Sequence, residues 1–258
     1  MTRTVIVTGS TSGIGLGIAQ AFAKDGANIV LNGLGDPDEI ENTRLMMEAE
    51  NGVHVIHHPA DMTKPDEIAD LVAQAEQKFG RIDVLINNAG VQHVAPVDEF
   101  PPEKWNEIIA INLTSSFHTM HHVIPVMKKA GKGRIINISS AHGLVASPFK
   151  SAYVAAKHGI MGLTKSAALE LAQTGITVNA ICPGYVLTPL VEQQIPDMAK
   201  TSGISEEAVK NEVLLRLQAT KEFVSVDEVA ATALFLASDA ASQITGTHIS
   251  VDGGWTAQ

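Results

Sequence analysis

Seven short runs rich in β-branched and apolar residues recur along the chain, separated by longer stretches with helical periodicity. The runs lie at residues 4–8, 28–31, 53–57, 84–87, 134–138, 177–181 and 247–251, and each has the length and composition of a strand. Helices are predicted near residues 14–25, 37–50, 65–79, 102–129, 152–173 and 227–238. Strands that alternate with helices lie parallel, because each crossover returns the chain to the same end of the sheet, and the helices then cover both faces. The expected fold class is α/β, a doubly wound Rossmann-type fold with a seven-stranded parallel sheet. No repeat, low-complexity tract or flexible linker divides residues 1–258, so one dinucleotide-binding domain is expected. The irregular stretch is 188–223, an insertion between the sixth strand and the last helix with Pro189, Pro196 and Gly203. It reads as a substrate lid, with a surface excursion as the alternative.

Composition narrows the function classes. The chain carries 18 Lys and Arg against 28 Asp and Glu, a net charge of −10 without any basic run, which argues against nucleic acid as partner. The start, Met1-Thr-Arg-Thr-Val-Ile-Val-Thr, enters a strand pattern with no secretory leader, and no uninterrupted apolar run is long enough to span a membrane. The single cysteine, Cys182, has no internal partner for a disulfide and suits a reducing compartment, so a cytoplasmic location is expected. Cys182 itself reads as a small core residue. The pairs His57-His58 and His121-His122 lack a completing carboxylate at ligand spacing, and no metal is expected.

The first strand runs into Thr8-Gly9-Ser10-Thr11-Ser12-Gly13-Ile14-Gly15 and then a helix. Glycines at such a turn let the backbone approach a pyrophosphate, and the free N–H groups of the helix start supply partial positive charge. The spacing G-x-x-x-G-x-G departs from the common G-x-G-x-x-G pattern. At the end of the second strand an acid selects NAD and an arginine NADP. Asn32 and Gly33 occupy that end, Asp36 lies further on, and positions 10–12 and 32–43 contain no Lys or Arg. NAD is therefore expected by exclusion. Asp61, after the third strand, reads either as a partner of the adenine amino group or as a helix cap before Thr63-Lys64-Pro65. Asn87 and Asn88 are candidates for holding backbone groups in the turn after the fourth strand.

Tyr153 and Lys157 are four residues apart on a predicted helix and share one face, a geometry that suits proton transfer and is also common between structural residues of ordinary helices. Bringing a tyrosine from a pKa of about 10 to near 7 requires roughly 4 kcal/mol of preferential phenolate stabilisation, which a nearby lysine and a cationic oxidised nicotinamide supply. Ser140 closes a strand at the ligand-binding edge, or is a turn-forming serine. Asn112 interrupts the apolar run Ile108-Ile-Ala-Ile-Asn-Leu113 and needs polar partners there.

The whole set, Thr8-Gly9-x-x-x-Gly13-x-Gly15, Asn87-Asn88-Ala89-Gly90, Asn112, Ser140, Tyr153-x-x-x-Lys157 and Pro183-Gly184, resembles the short-chain dehydrogenase/reductase family in order and spacing over essentially the entire chain. The resemblance implies that Tyr153 is the general acid and base, Ser140 polarises the substrate oxygen, Lys157 binds the nicotinamide ribose, and Asn112 holds a proton-relay water. It also implies a dinucleotide site formed by Gly9, Thr11, Ser12, Gly13, Ile14, Gly15, Leu34, Asp61, Met62, Asn88, Ala89, Gly90, Tyr153, Lys157, Pro183, Gly184, Val186 and Thr188. More specific matches, among them Leu31-Asn-Gly33, Gln92-His93, Ser140-Ala-His-Gly-Leu-Val-Ala146, Lys150-Ser-Ala-Tyr-Val-Ala-Ala-Lys-His158 and Val251-Asp-Gly-Gly-Trp-Thr256, are similar to the bacterial branch of the family that oxidises D-3-hydroxybutyrate.

That branch implies NAD-dependent oxidation of a small hydroxy acid, a cytoplasmic homotetramer, and a substrate carboxylate held by Gln92, His142, Lys150 and Gln194 beside Ser140 and Tyr153. On a chain of net charge −10 a small acid needs local cations, and Lys150 is the evident one. Tyr185 and Trp255 either narrow the pocket or pack as ordinary aromatics. Small residues at Gly159-Ile-Met-Gly-Leu163 suit close packing against another subunit or within the chain. The remaining alternatives are another small hydroxy acid, reduction of carrier-bound 3-oxoacyl groups, and a dinucleotide-binding module without turnover.

Overall fold

The computed structural model describes residues 2–188, 191–192, 195–196, 199–200 and 203–257. The strands are β1 (Thr4–Val7), β2 (Asn28–Asn32), β3 (Val55–His58), β4 (Val84–Asn87), β5 (Gly133–Ile138), β6 (Ile176–Pro183) and β7 (His248–Val251). They form one parallel sheet in the order β3-β2-β1-β4-β5-β6-β7, as the alternation of strands and helices requires. β6 runs two residues past its expected end because it is paired on both sides, Ile181 to β5 and Ile181 through Pro183 to β7.

Successive strand residues feed two cores. Val5, Val7, Ile29, Leu31, Ile86 and Ile136 face α1 (Gly13–Lys24), α2 (Pro37–Asn51) and the last long helix (Val226–Ala237). Ile6, Val30, Leu85, Ile135 and Val178 face α3 (Pro65–Phe79) and two later helices, which bring Val123, Met127, Ala168 and Leu171. Both faces being covered explains why β1, β4, β5 and β6 read as continuous apolar runs.

The expected helix over 102–129 is interrupted. α4 (Pro102–Ile109) passes into a π-helical turn at Ala110–Thr114 before α5 (Ser115–Ala130) begins. Asn112 sits in that turn, and its amide accepts from the Val91 N–H and donates to the Val91 carbonyl, both at 2.9 Å. The wider turn reconciles a continuing helix with a buried amide that must reach a neighbouring loop, a common use of π-bulges at functional sites. α6 (Ser151–Leu171) and α7 (Val226–Ala237) complete the set. A capping box between Ser225 and Glu228 starts α7 after the insertion.

Strand order reverses at β1, with β2 on one side and β4 on the other. Ligands of open α/β sheets bind outside the carboxyl ends of the strands at such a point. Among the described residues no helix is long and apolar enough to cross a membrane, and no group of three metal-ligating side chains assembles.

Candidate active site

The turn between β1 and α1 is locked to the loop after β4. The Thr8 hydroxyl oxygen accepts from the Asn88 and Ala89 N–H groups, both at 3.0 Å, while the Asn88 amide donates back to the carbonyls of Thr8 and Gly9. Gly9, at φ +60°, leaves no room for a side chain: a Cβ would fall 2.8 Å from Ala89 Cα. At Gly15 it would fall 2.2 Å from the Gly9 carbonyl oxygen and 2.5 Å from Asn88 Nδ2. Ser12 makes no side-chain capping bond, and the first turn of α1 carries no acid. The helix N–H groups are thus left for an anion, and the glycine cradle fits a dinucleotide pyrophosphate. Gly15→Ala should destabilise the fold by about 2 kcal/mol or more and abolish dinucleotide binding, because rigid backbone rather than a movable side chain blocks the methyl group; thermal unfolding and cofactor titration measure both.

Asn32, fully buried at the end of β2, lies beneath this turn. Its side-chain oxygen accepts from the Gly9 N–H, and its amide donates to the carbonyls of His58 and Ala60. Asp36 caps α2, accepting from the N–H groups of Asp38 and Glu39. The first cation further on, Arg44, is engaged by Glu41, Glu48 and the Val55 carbonyl. Leu34 is exposed at the strand end. Asp61 accepts from both the N–H and the hydroxyl of Thr63, the backbone bond chiefly holding its carboxyl below the usual range. It therefore closes the turn leading to α3, whose own cap position is Lys64.

Ser140, Tyr153 and Lys157 come together at the ends of β5 and α6. The Ser140 hydroxyl accepts from the His142 N–H at 3.1 Å and so caps the short turn Ala141–Gly143, close enough to Tyr153 to act on its phenol. Lys157 lies one helical turn from Tyr153, with Nζ 5.5 Å from the centre of the phenol ring, and donates to the Ile138 carbonyl at 2.8 Å. Burial raises the Tyr153 phenol, the Ser140 hydroxyl opposing it, and burial lowers the Lys157 ammonium to about 8. The expected lowering of the phenol is absent from the protein by itself. Each group is shifted toward its neutral form because burial penalises charge, and the lysine's hydrogen bond goes to a carbonyl.

Beside this group lies an aromatic wall. The His142 ring meets Tyr153 edge-on at 6.0 Å and Trp255 at 5.0 Å; Trp255 stacks on Tyr185 at 5.6 Å and 4°; Lys150 Nζ sits 5.7 Å over the Tyr185 ring. A continuous series of contacts therefore joins Tyr153 to Lys150. Tyr185 and Trp255 are parts of this wall, and Gln92 lies exposed on the loop after β4. Gln194 lies outside the described residues. His142 Nε2 is hydrogen-bonded to Ser147 at 2.7 Å.

Burial, with Lys150 and His158 adding to it, pushes the His142 imidazole down to about 4. Its folded value lies below the unfolded one, so neutral His142 contributes stability that is present above about pH 6.5 and lost as pH falls toward 4. That gap is worth about 3 kcal/mol at most. Urea unfolding should show the protein losing stability of that order between pH 6.5 and 4, beyond the loss seen in His142→Gln.

Two features carried no signal in the sequence. One is a buried polar series through the sheet, Thr119 to Asn87, Asn87 to Asn137, and Asn137 to Thr164, at 2.6–2.9 Å. The other is Gln218, fully buried at the return of the insertion. Asn87 thus ties β4 to β5 and α5, while Asn88 secures the turn.

A family model described as enoyl-(acyl carrier protein) reductase matches residues 9–256. The D-beta-hydroxybutyrate dehydrogenase of Rhizobium meliloti is 66% identical over 258 residues, 100% of both chains. The enzyme of that name from Cupriavidus necator is 56% identical over 99% of this chain and 98% of its own. Among solved structures, L-sorbose reductase from Gluconobacter frateurii, complexed with NADPH and L-sorbose, superposes with a TM-score of 0.94 at 30% identity, covering 100% of this chain and 97% of the other.

Proposed function

Because the chain belongs to the short-chain dehydrogenase/reductase family, we propose that it oxidises D-3-hydroxybutyrate reversibly to acetoacetate, with NAD as cofactor. The observation that carries this reading is the series of contacts from Tyr153 through His142, Trp255 and Tyr185 to Lys150. It sets a cation on the same series of contacts as the proton-transfer group, with aromatic rings between, an arrangement that favours a small acid as substrate. The relatives from Rhizobium meliloti and Cupriavidus necator bear the name of that activity.

A nicotinamide cofactor held at this site would supply the hydride acceptor for oxidation of the carbinol carbon. Ser140 orients the substrate hydroxyl, Tyr153 receives its proton, and Lys157 supports the phenolate and the ribose. Asn112, whose side-chain amide is paired with Val91, holds a relay water beside this group. Lys150, with Gln92, His142 and Gln194, receives the carboxylate, and the 188–223 segment closes over it as a lid. The dinucleotide is held by Gly9, Thr11, Ser12, Gly13, Ile14 and Gly15 at the pyrophosphate, and by Leu34, Asp61 and Met62 at the adenosine. Asn88, Ala89, Gly90, Pro183, Gly184, Val186 and Thr188 complete its nicotinamide side.

The choice of NAD rests on charge. Residues 32–43 contain no cation, Arg44 is already bound by two carboxylates, and Asp38 and Glu39 sit just beyond the strand end, where a 2′-phosphate would be repelled. NAD should exceed NADP in kcat/KM by at least about 10-fold, the worth of one missing charge-assisted contact. Equal efficiencies would overturn the cofactor assignment, and the absence of NADH from protein, NAD and 3-hydroxybutyrate would overturn the reaction.

The assembly is proposed as a cytoplasmic homotetramer. Phe117 and Leu169 are exposed on α5 and α6, and Phe235 on α7, on the opposite side of the sheet, beside the open edge of β7. Two separate contacts between copies would cover these apolar positions.

A further inference from the structure

We propose that Gln218 is a positioning residue for the substrate pocket, one that sets the Tyr185–Trp255 stack from behind. This deepens the functional reading above and rests on its assignment of that stack to the pocket wall.

A fully buried primary amide is costly unless both of its ends are paired. Gln218 pairs both with backbone, and with two different stretches of chain. Its Oε1 accepts from the Tyr185 N–H, and its Nε2 donates to the Glu222 carbonyl at 2.6 Å. The return of the insertion is thereby fastened to Tyr185, the second residue after β6. The same point is held by a short ladder, in which the Val224 N–H donates to the Tyr185 carbonyl and the Leu187 N–H to the Val224 carbonyl, both at 2.9 Å.

Two glycines make room for this amide. A Cβ on Gly184 would fall 2.4 Å from Gln218 Oε1, and one on Gly253 would fall 3.3 Å from Nε2 and 2.4 Å from Thr220 Oγ1. Gly184 has no left-handed backbone to explain it, so the close approach of Gln218 accounts for the glycine there. On the Gly253 side, the Thr220 N–H donates to the Gly253 carbonyl at 3.1 Å. Asp252 then accepts from the N–H groups of Gly254 and Thr256 and from the Thr256 hydroxyl, which fixes the turn carrying Trp255.

Two short routes therefore run from Gln218 to the stacked rings: one through the Tyr185 N–H, the other through Gly253 and Gly254 to Trp255. The rings in turn contact Lys150 and His142. Gln218 spends its side-chain hydrogen bonds on Tyr185 and Glu222 and none on Ser140, Tyr153 or Lys157, so its influence falls on where the acid is held rather than on proton transfer.

The test uses the full-length protein carrying Trp105→Phe, which leaves Trp255 as its one tryptophan. Gln218→Met keeps the side chain's length and removes both hydrogen-bonding ends; Gln218→Glu keeps the acceptor for Tyr185 and loses the donor. The expected result for Gln218→Met is a KM for the acid raised about 10-fold, with kcat within about threefold and NAD affinity within about twofold. Trp255 emission, read without substrate, should shift to longer wavelength, and Gln218→Glu, which sets a carboxylate oxygen against the Glu222 carbonyl, should show the same changes at least as strongly. An unchanged KM with unmoved emission would overturn the proposal. So would a parallel loss of kcat, KM and NAD affinity, which marks a merely structural residue. If Gln218→Met does not fold, Gln218→Glu decides by the same two readouts. Because the emission needs no substrate, an unmoved spectrum counts against Gln218. A parent protein inactive on 3-hydroxybutyrate counts against the functional reading instead.

Discussion

Tyr153→Phe is expected to lower turnover by about 100- to 10,000-fold, the range by which a positioned acid or base accelerates a reaction, while NAD affinity stays near its original value. The substitution removes one oxygen and keeps the ring, so the edge-on contact with His142 and the packing of α6 survive. What disappears is the hydroxyl beside Ser140, the atom proposed to exchange a proton with substrate. Other groups are poor substitutes. The Lys157 ammonium is buried and donates to the Ile138 carbonyl, and His142 is kept neutral with one ring nitrogen tied to Ser147. Single-turnover measurement of NADH formation at saturating substrate reads the chemical step directly. Near-normal turnover would remove Tyr153 from proton transfer and leave a water or Ser140 in its place.

The sheet was legible in the sequence because strands covered on both faces are mostly apolar and β-branched, and the chain repeats such short runs seven times between helical segments. Gly9, Gly15, Asn88, Ser140, Tyr153 and Lys157 were legible for a related reason: their spacing is fixed by the ends of particular strands and by one turn of α6. Gln218 and the series Thr119, Asn87, Asn137 and Thr164 were not, because their partners lie far off in sequence or on other strands, and nothing local marks a glutamine as buried. The π turn escaped for a different cause. An apolar run with one asparagine has the same pattern whether the helix is regular or widened, and only the position of Val91 decides between them. At Asp61 the two readings from sequence were evenly matched; the hydrogen bonds to Thr63 close a turn, and the cap position of α3 falls on Lys64 instead.

Lys150→Ala should reduce kcat/KM for the acid by about 10- to 150-fold, the loss of one charge-assisted contact of roughly 1.5–3 kcal/mol. The residue sits at the start of α6, three positions before Tyr153, with its ammonium over the Tyr185 ring and no carboxylate partner among the described residues. A cation with an aromatic face beneath it and no counter-ion is suited to receive an anion from the pocket side. A neutral secondary alcohol of similar size never makes that contact, so its slower oxidation should be nearly unchanged by the substitution. Position in the fold supplies the competing explanation. Phe149, just before Lys150, has a left-handed backbone at φ 67°, and its carbonyl accepts from the Ala95 N–H at 3.0 Å, joining the loops after β5 and β4. If Lys150 chiefly stabilised that junction, its loss would misplace Tyr153, and acid and alcohol would suffer equally. Unequal losses assign the charge to the substrate carboxylate; equal losses would transfer carboxylate recognition to Gln92, His142 and Gln194 and weaken the choice of a hydroxy acid as substrate.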